Sequence, residues 1–134
     1  MPRGLRLSAP HVLVVDTDPA ERSAIAAMLA AEGARITMAA SSGEAMRHVA
    51  ARRFDAAVVD YAVPTLGGIV LVAQFRGCGN GRDVPVVVLH ALLPGSKRDR
   101  AAERAAHLSG VVFLARPVTG QDLAAALNGV TSRV

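Results

Sequence analysis

Tryptophan is missing from the 134-residue chain, and one tyrosine and three phenylalanines bring the aromatic share to only 3%. So few flat rings leave little surface on which nucleic-acid bases could stack. A single cysteine, Cys78, cannot close an internal disulfide, which suits a reducing compartment and makes the cytoplasm the expected location. No apolar run approaches the roughly 20 residues that cross a bilayer, so no membrane span is expected. The opening MPRGLRLSAP lacks the apolar block of a secretory signal and reads as a loose arm over residues 1–10. Neither a nucleophile elbow G-x-S-x-G nor a Walker sequence occurs, which removes the usual supports for hydrolase and nucleotidase chemistry. Lysine is nearly absent too: Lys97 is the only one, and arginine carries the rest of the formal +4 charge. Those arginines are scattered among acids, as on a solvated surface, and no recognisable binding motif accompanies them. No direct contact with nucleic acid is expected.

What is present is a globular balance, 51% hydrophobic and 19% charged, in a chain of single-domain length. Residues 11–130 read as the domain and 131–134 as a tail. Four short apolar runs, VLVV at 12–15, AAVV at 56–59, VVVL at 86–89 and VVFL at 111–114, have the length and β-branching of strands buried on both faces. A weaker alternating run from Ala34 to Ala39 suits a strand near a sheet edge. Between them, Ala24, Ile25, Met28 and Leu29, then Ala45, Met46, Val49 and Ala50, recur at helical spacing. Asp18-x-x-Glu21 and Ser41-x-x-Glu44 form capping boxes, Ser96-x-x-Asp99 and Thr119-x-x-Asp122 looser ones, and Gly33, Gly110 and Gly129 fall where helices would end. Strands alternating with helices need crossover connections, so the pattern predicts an α/β three-layer sandwich built as (βα)5 around a five-stranded parallel sheet.

Ligands gather beyond the carboxyl ends of such strands. The residues there are Asp16 and Thr17, Asp60, His90, and Arg116 with Pro117. Asp18 follows one place too late for the strand end and, with Pro19 as the first helical residue, reads as a helix cap. GCGNG at 77–81 follows a helix and opens a strand, the reverse of a dinucleotide fingerprint, and reads as a flexible turn with Cys78 as an exposed thiol of ordinary reactivity. His11, His48 and His107 lack ligand spacing and read as surface residues. Asp16, Asp60 and His90 leave open a second reading, a small metal-binding or catalytic domain holding a transition metal.

The stretch FDAAVVDYAVPTLGG, with Asp60 four residues before Pro64 and eight before Gly68, and the terminal VVFLARP resemble the receiver domain of bacterial two-component response regulators. The resemblance runs from about His11 to Gly129. It implies a flavodoxin-like fold of strand order 2-1-3-4-5, a signalling module more than an enzyme, and Asp60 as the phosphoacceptor. The expected partner is a sensor histidine kinase or phosphotransfer protein. It further implies a magnesium site from Asp16, Asp60 and the backbone carbonyl of Ala62, and a cis bond before Pro117. A surface made by the fourth helix, fifth strand and fifth helix would serve partners or a homodimer; Lys97 to Arg104, KRDRAAER, would be its first part.

Three positions depart from the family pattern. The second acid of the strand-one pair falls on Thr17, whose hydroxyl brings no charge to a dication, so magnesium binding is expected to be weak. The switch hydroxyl falls on His90, a larger group that donates one hydrogen bond, with Phe113 matching the aromatic that moves with the switch. The lysine becomes Arg116, whose planar fork is expected to grip Asp60 through two hydrogen bonds and partly imitate the phosphorylated state. Together these changes predict impaired phosphorylation.

Overall fold

A computed structural model of the chain describes residues 9–63, 67–91 and 110–131. Five parallel strands, β1 (His11–Val15), β2 (Arg35–Ala39), β3 (Ala56–Asp60), β4 (Val86–His90) and β5 (Val111–Ala115), form one sheet in the order β2-β1-β3-β4-β5. Helices α1 (Pro19–Ala31), α2 (Ser42–Ala51), α3 (Gly68–Arg76) and α4 (Gly120–Thr131) cover its two faces. This is the expected flavodoxin-like sandwich. The helix expected around Lys97 to Arg104, the box Ser96-x-x-Asp99, His107, and most of the terminal arm and tail lie outside the described residues.

Alternation within each strand makes two cores. Leu13, Val15, Ala57, Val59, Val86 and Val88 face α2 and α3, where Ala45, Val49, Leu71, Val72 and Phe75 complete one cluster. Val12, Val14, Ala56, Val58, Val87 and Leu89 face α1 and α4 and meet Ile25, Leu29, Leu123 and Leu127. Because both faces are covered, β1, β3 and β4 read as unbroken apolar runs. The edge strand β2 keeps the mixed burial that its alternating sequence predicts, with Met38 exposed.

The caps differ from the expected boxes in an informative way. Thr119 and Asp122 form a complete reciprocal box: Asp122 N–H donates to Thr119 Oγ1 at 3.0 Å and Thr119 N–H to Asp122 Oδ2 at 2.8 Å. Ser41 Oγ accepts from Glu44 N–H, but Glu44 reaches one residue further back, to Ala40 N–H. Asp18 does cap α1, its Oδ1 accepting from Ala20 and Glu21. The return half of that box is missing, because the Asp18 N–H donates to Asp16 Oδ1 instead. Gly33 follows α1 with a φ of +102°, whereas Gly129 lies inside α4 rather than at its end.

The loop expected to be a flexible turn is packed, and a histidine expected on the surface is half-buried. GCGNG contains a short 3-10 helix, Gly79–Gly81, and Gly81 is buried. Arg76 ties this loop down by donating from Nη1 to the carbonyls of Gly81 and Val84, and Cys78 is half-buried with its thiol facing the Val49 carbonyl at 3.9 Å. His11, expected on the surface, packs edge-to-face on Phe54 at 4.8 Å and shares a 2.6 Å hydrogen bond between Nε2 and Thr37 Oγ1. Burial, together with Arg35, Arg52 and His48, lowers the His11 pKa, while Asp55 opposes the shift. A lowered folded-state pKa means that the neutral ring is favoured in the fold. Its stabilisation is present above the unfolded value and lost as pH falls through the folded one. Between about pH 7 and pH 5 the melting temperature should drop by about 2 °C more than in His11→Gln, the size expected for a solvent-screened group.

Candidate functional site

The C-terminal ends of β1, β3 and β5 bring Asp16, Asp60 and Arg116 together, although 100 and 56 residues separate the arginine from its two acids. Each is delivered by the same device, an apolar strand that ends and releases one polar side chain at the sheet's edge. Arg116 Nη2 lies 3.2 Å from Asp16 Oδ2 and 3.3 Å from Asp60 Oδ1. Nη1 turns the other way, to Glu21 Oε2 at 2.5 Å. The expected two-bond grip on Asp60 is therefore not what forms. A guanidinium presents its donors in a fixed planar fork, and with three carboxylates around it the fork is divided among them.

Glu21 is the residue that sequence reasoning missed. Its spacing from Asp18 predicts the reciprocal half of the α1 cap, but Asp16 takes that role by accepting from Asp18 N–H at 3.0 Å. The Glu21 carboxylate, in the first turn of α1, is thereby left to reach Arg116. No local signal in the sequence links residues 95 apart. The spare acid in the first helical turn beside a strand-end arginine becomes visible only once β1 and β5 flank the site.

Asp16 is the most enclosed group, its side chain 5% exposed. Burial raises its pKa above the usual carboxylate value; the Asp18 hydrogen bond opposes this, the Asp60 charge adds to it, and Arg116 opposes it again. Its backbone carbonyl also accepts from Arg22 Nη1 at 2.9 Å. Thr17, half-buried, is the middle residue of the turn that Asp16 closes onto Asp18. Asp60 is partly exposed, with a side chain 18% accessible. After it, Val63 N–H returns to the Asp60 carbonyl and Gly68 N–H to the Tyr61 carbonyl, and Ala62 sits exposed in that turn. A Cβ at Gly68 would come within 2.8 Å of the Asp60 carbonyl oxygen, so the helix start can approach the end of β3 this closely only with glycine there.

His90 ends β4, its carbonyl accepting the Arg116 N–H at 2.7 Å. The ring is half-buried and meets Phe113 edge-to-face at a centroid separation of 6.2 Å, so the two expected switch residues are in contact. The Arg116–Pro117 bond is cis, as the resemblance implies. Among the described residues, no group of three or more His, Cys, Asp or Glu side chains is placed to hold a metal. Asp16, Asp60 and His90 therefore do not make the transition-metal site of the second reading. Magnesium takes oxygen ligands at about 2.1 Å, and the carboxylates it would bridge already share the Arg116 nitrogen. The groups that would hold a dication here are Asp16, Asp60 and the Ala62 carbonyl, and both carboxylates are paired to Arg116 in this structure.

This fold, with an aspartate ending β3 and a cation from β5 reaching it, defines a class. The family model of the response regulator receiver domain matches residues 12–128, and the chain belongs to that family. Among individual proteins it is similar to "Response regulator MprA" of Mycobacterium tuberculosis, 33% identical over 125 residues that cover 92% of this chain and 51% of that protein. The chain thus spans about half the length of the curated relatives it matches. The receiver domain of the sensor histidine kinase PA1611 from Pseudomonas aeruginosa is 28% identical and superposes with a TM-score of 0.78, covering 92% of this chain and 98% of that one. In that structure a magnesium ion is coordinated in the active site cleft. The chemotaxis protein CheY4 of Vibrio cholerae, at 23% identity and TM-score 0.78 over 90% of this chain and 98% of its own, shows the fold alone. No helix among the described residues is long and apolar enough to cross a membrane.

Proposed function

We propose that this receiver domain is an atypical one: Asp60 keeps the phosphoacceptor position, but the pocket carries its own cation and takes up phosphate poorly or not at all. The observation that supports this is the single nitrogen, Arg116 Nη2, within 3.3 Å of both Asp16 and Asp60. Phosphotransfer would require an Asp60 oxygen to attack the phosphorus of a phosphohistidine while the P–N bond breaks and the imidazole leaves. Positive charge must meanwhile stabilise the transferred oxygens. A carboxylate whose lone pair is engaged by a guanidinium is a weaker nucleophile, and Thr17 adds no charge with which to hold a dication.

The partner consistent with this family is a sensor histidine kinase or a phosphotransfer protein. Recognition without efficient transfer would make the module a docking partner, or a competitor for the kinase surface that other receivers use. His90 against Phe113 fits an altered switch, since an imidazole cannot follow a small inward movement as a hydroxyl can. A homodimer through β5, α4 (the fifth helix of the sequence pattern) and the helix expected around Lys97 to Arg104 belongs to the same proposal, as do the absence of direct nucleic-acid contact and a cytoplasmic location. Treating the chain with a small phosphodonor and magnesium, then measuring intact mass, tests the reading. The expected result is no stable phosphoryl adduct, with Asp60→Asn indistinguishable from the parent chain. A stoichiometric adduct that disappears in Asp60→Asn would overturn it.

A further inference from the structure

The three contacts of Arg116 are unequal: the bond to Glu21 is 2.5 Å, against 3.2 Å to Asp16 and 3.3 Å to Asp60. Because the guanidinium is planar and rigid, fixing Nη1 also fixes where Nη2 can lie. Held by Glu21 on α1, the fork presents one nitrogen between the two strand-end carboxylates. We infer that Glu21 is a positioning residue that anchors Arg116 across the pocket and so keeps the built-in cation in place; this rests on the reading proposed above. Glu21 touches neither Asp16 nor Asp60 through any of these bonds. It acts on them through the arginine.

The anchor role and a plain electrostatic role predict opposite signs. Were Glu21 only one more negative charge near the pocket, neutralising it would weaken the attraction for a metal cation. As the anchor, its neutralisation frees the guanidinium to leave, and the affinity for a cation rises. The Glu21 side chain is 51% exposed, so water screens its direct pull on an ion in the pocket. Release of the arginine is the larger effect.

The test titrates magnesium chloride into the full chain and follows the backbone amide resonances of Asp16, Thr17, Asp60 and Tyr61 by NMR. Parent, Glu21→Gln, Arg116→Gln and the double variant are compared, with Glu21→Ala as a second version of the anchor loss. Arg116→Gln is expected to tighten binding by about tenfold, given a unit charge removed a few ångströms from the ion in a partly exposed site. Glu21→Gln is expected to tighten it by about threefold, the scale of a half-exposed ion pair. In the double variant Glu21→Gln should add no tightening, because there is no longer a guanidinium to release. If Arg116→Gln tightens binding while both Glu21 variants leave it unchanged or weaken it, the anchor role is wrong and the built-in cation survives. If Arg116→Gln does not tighten binding, the built-in cation is wrong and the anchor falls with it. Further tightening by Glu21→Gln in the Arg116→Gln background would also overturn the anchor.

Discussion

Thr17→Asp combined with Arg116→Lys should raise magnesium affinity by about two orders of magnitude over the parent chain. At an effective dielectric near 20, a carboxylate about 4 Å from a unit positive charge gains on the order of 4 kcal/mol, and more against a dication. Desolvating the new acid removes part of that gain. Retaining even about 2.7 kcal/mol corresponds to a factor of one hundred. The lysine substitution works in the same direction, because a compact ammonium on a flexible stem cannot hold three carboxylates as the divided fork does. The same NMR titration measures the affinity. Phosphodonor treatment with an intact-mass readout should then reveal an Asp60 adduct that the parent chain lacks. Equal affinities in parent and double variant would show that neither the missing acid nor the arginine limits the site.

Gly81→Ala should lower stability by about 3 kcal/mol, at the upper end of what overpacking a core costs. A Cβ there would lie 2.6 Å from the Phe75 carbonyl oxygen and 2.7 Å from Val49 Cγ1. The first obstacle is backbone at the end of α3, and Phe75 itself is fully buried. The loop has little room to retreat, since Arg76 binds the Gly81 carbonyl at 3.1 Å and the Val84 carbonyl at 2.7 Å. Gly79→Ala, two residues away, would meet nothing within 4 Å and should change stability by less than about 1 kcal/mol. Urea unfolding of the two variants separates a packed loop from a flexible one.

That contrast shows where sequence reading stops. The strands were legible because burial on both faces leaves an unmistakable apolar run, and their ends located Asp16, Asp60 and Arg116 before any contact was known. Asp18 as the α1 cap was legible for a local reason, since a cap and its helix are neighbours in sequence. GCGNG was misread because glycines carry no periodic signal, and the tight fit of Gly81 depends on Val49, more than thirty residues earlier. The contacts of His11 were not legible because its partners Thr37, on β2, and Phe54, in the loop before β3, are distant in sequence. Glu21 is the sharpest case. Its spacing from Asp18 matched a local motif, and that match concealed a longer connection to Arg116. A local explanation that accounts for a residue type does not use up the residue's hydrogen-bonding capacity.

The carboxylate of Asp16 serves two masters. One oxygen accepts from Arg116 and the other from the Asp18 N–H at the entrance to α1. Removing this side chain would take away the intramolecular acceptor of the Asp18 N–H at the entrance to α1, whatever the pocket does with phosphate. Asp16 thus has an architectural use at the start of α1 that needs no ion, so an acid at this position is by itself poor testimony that a pocket handles metal.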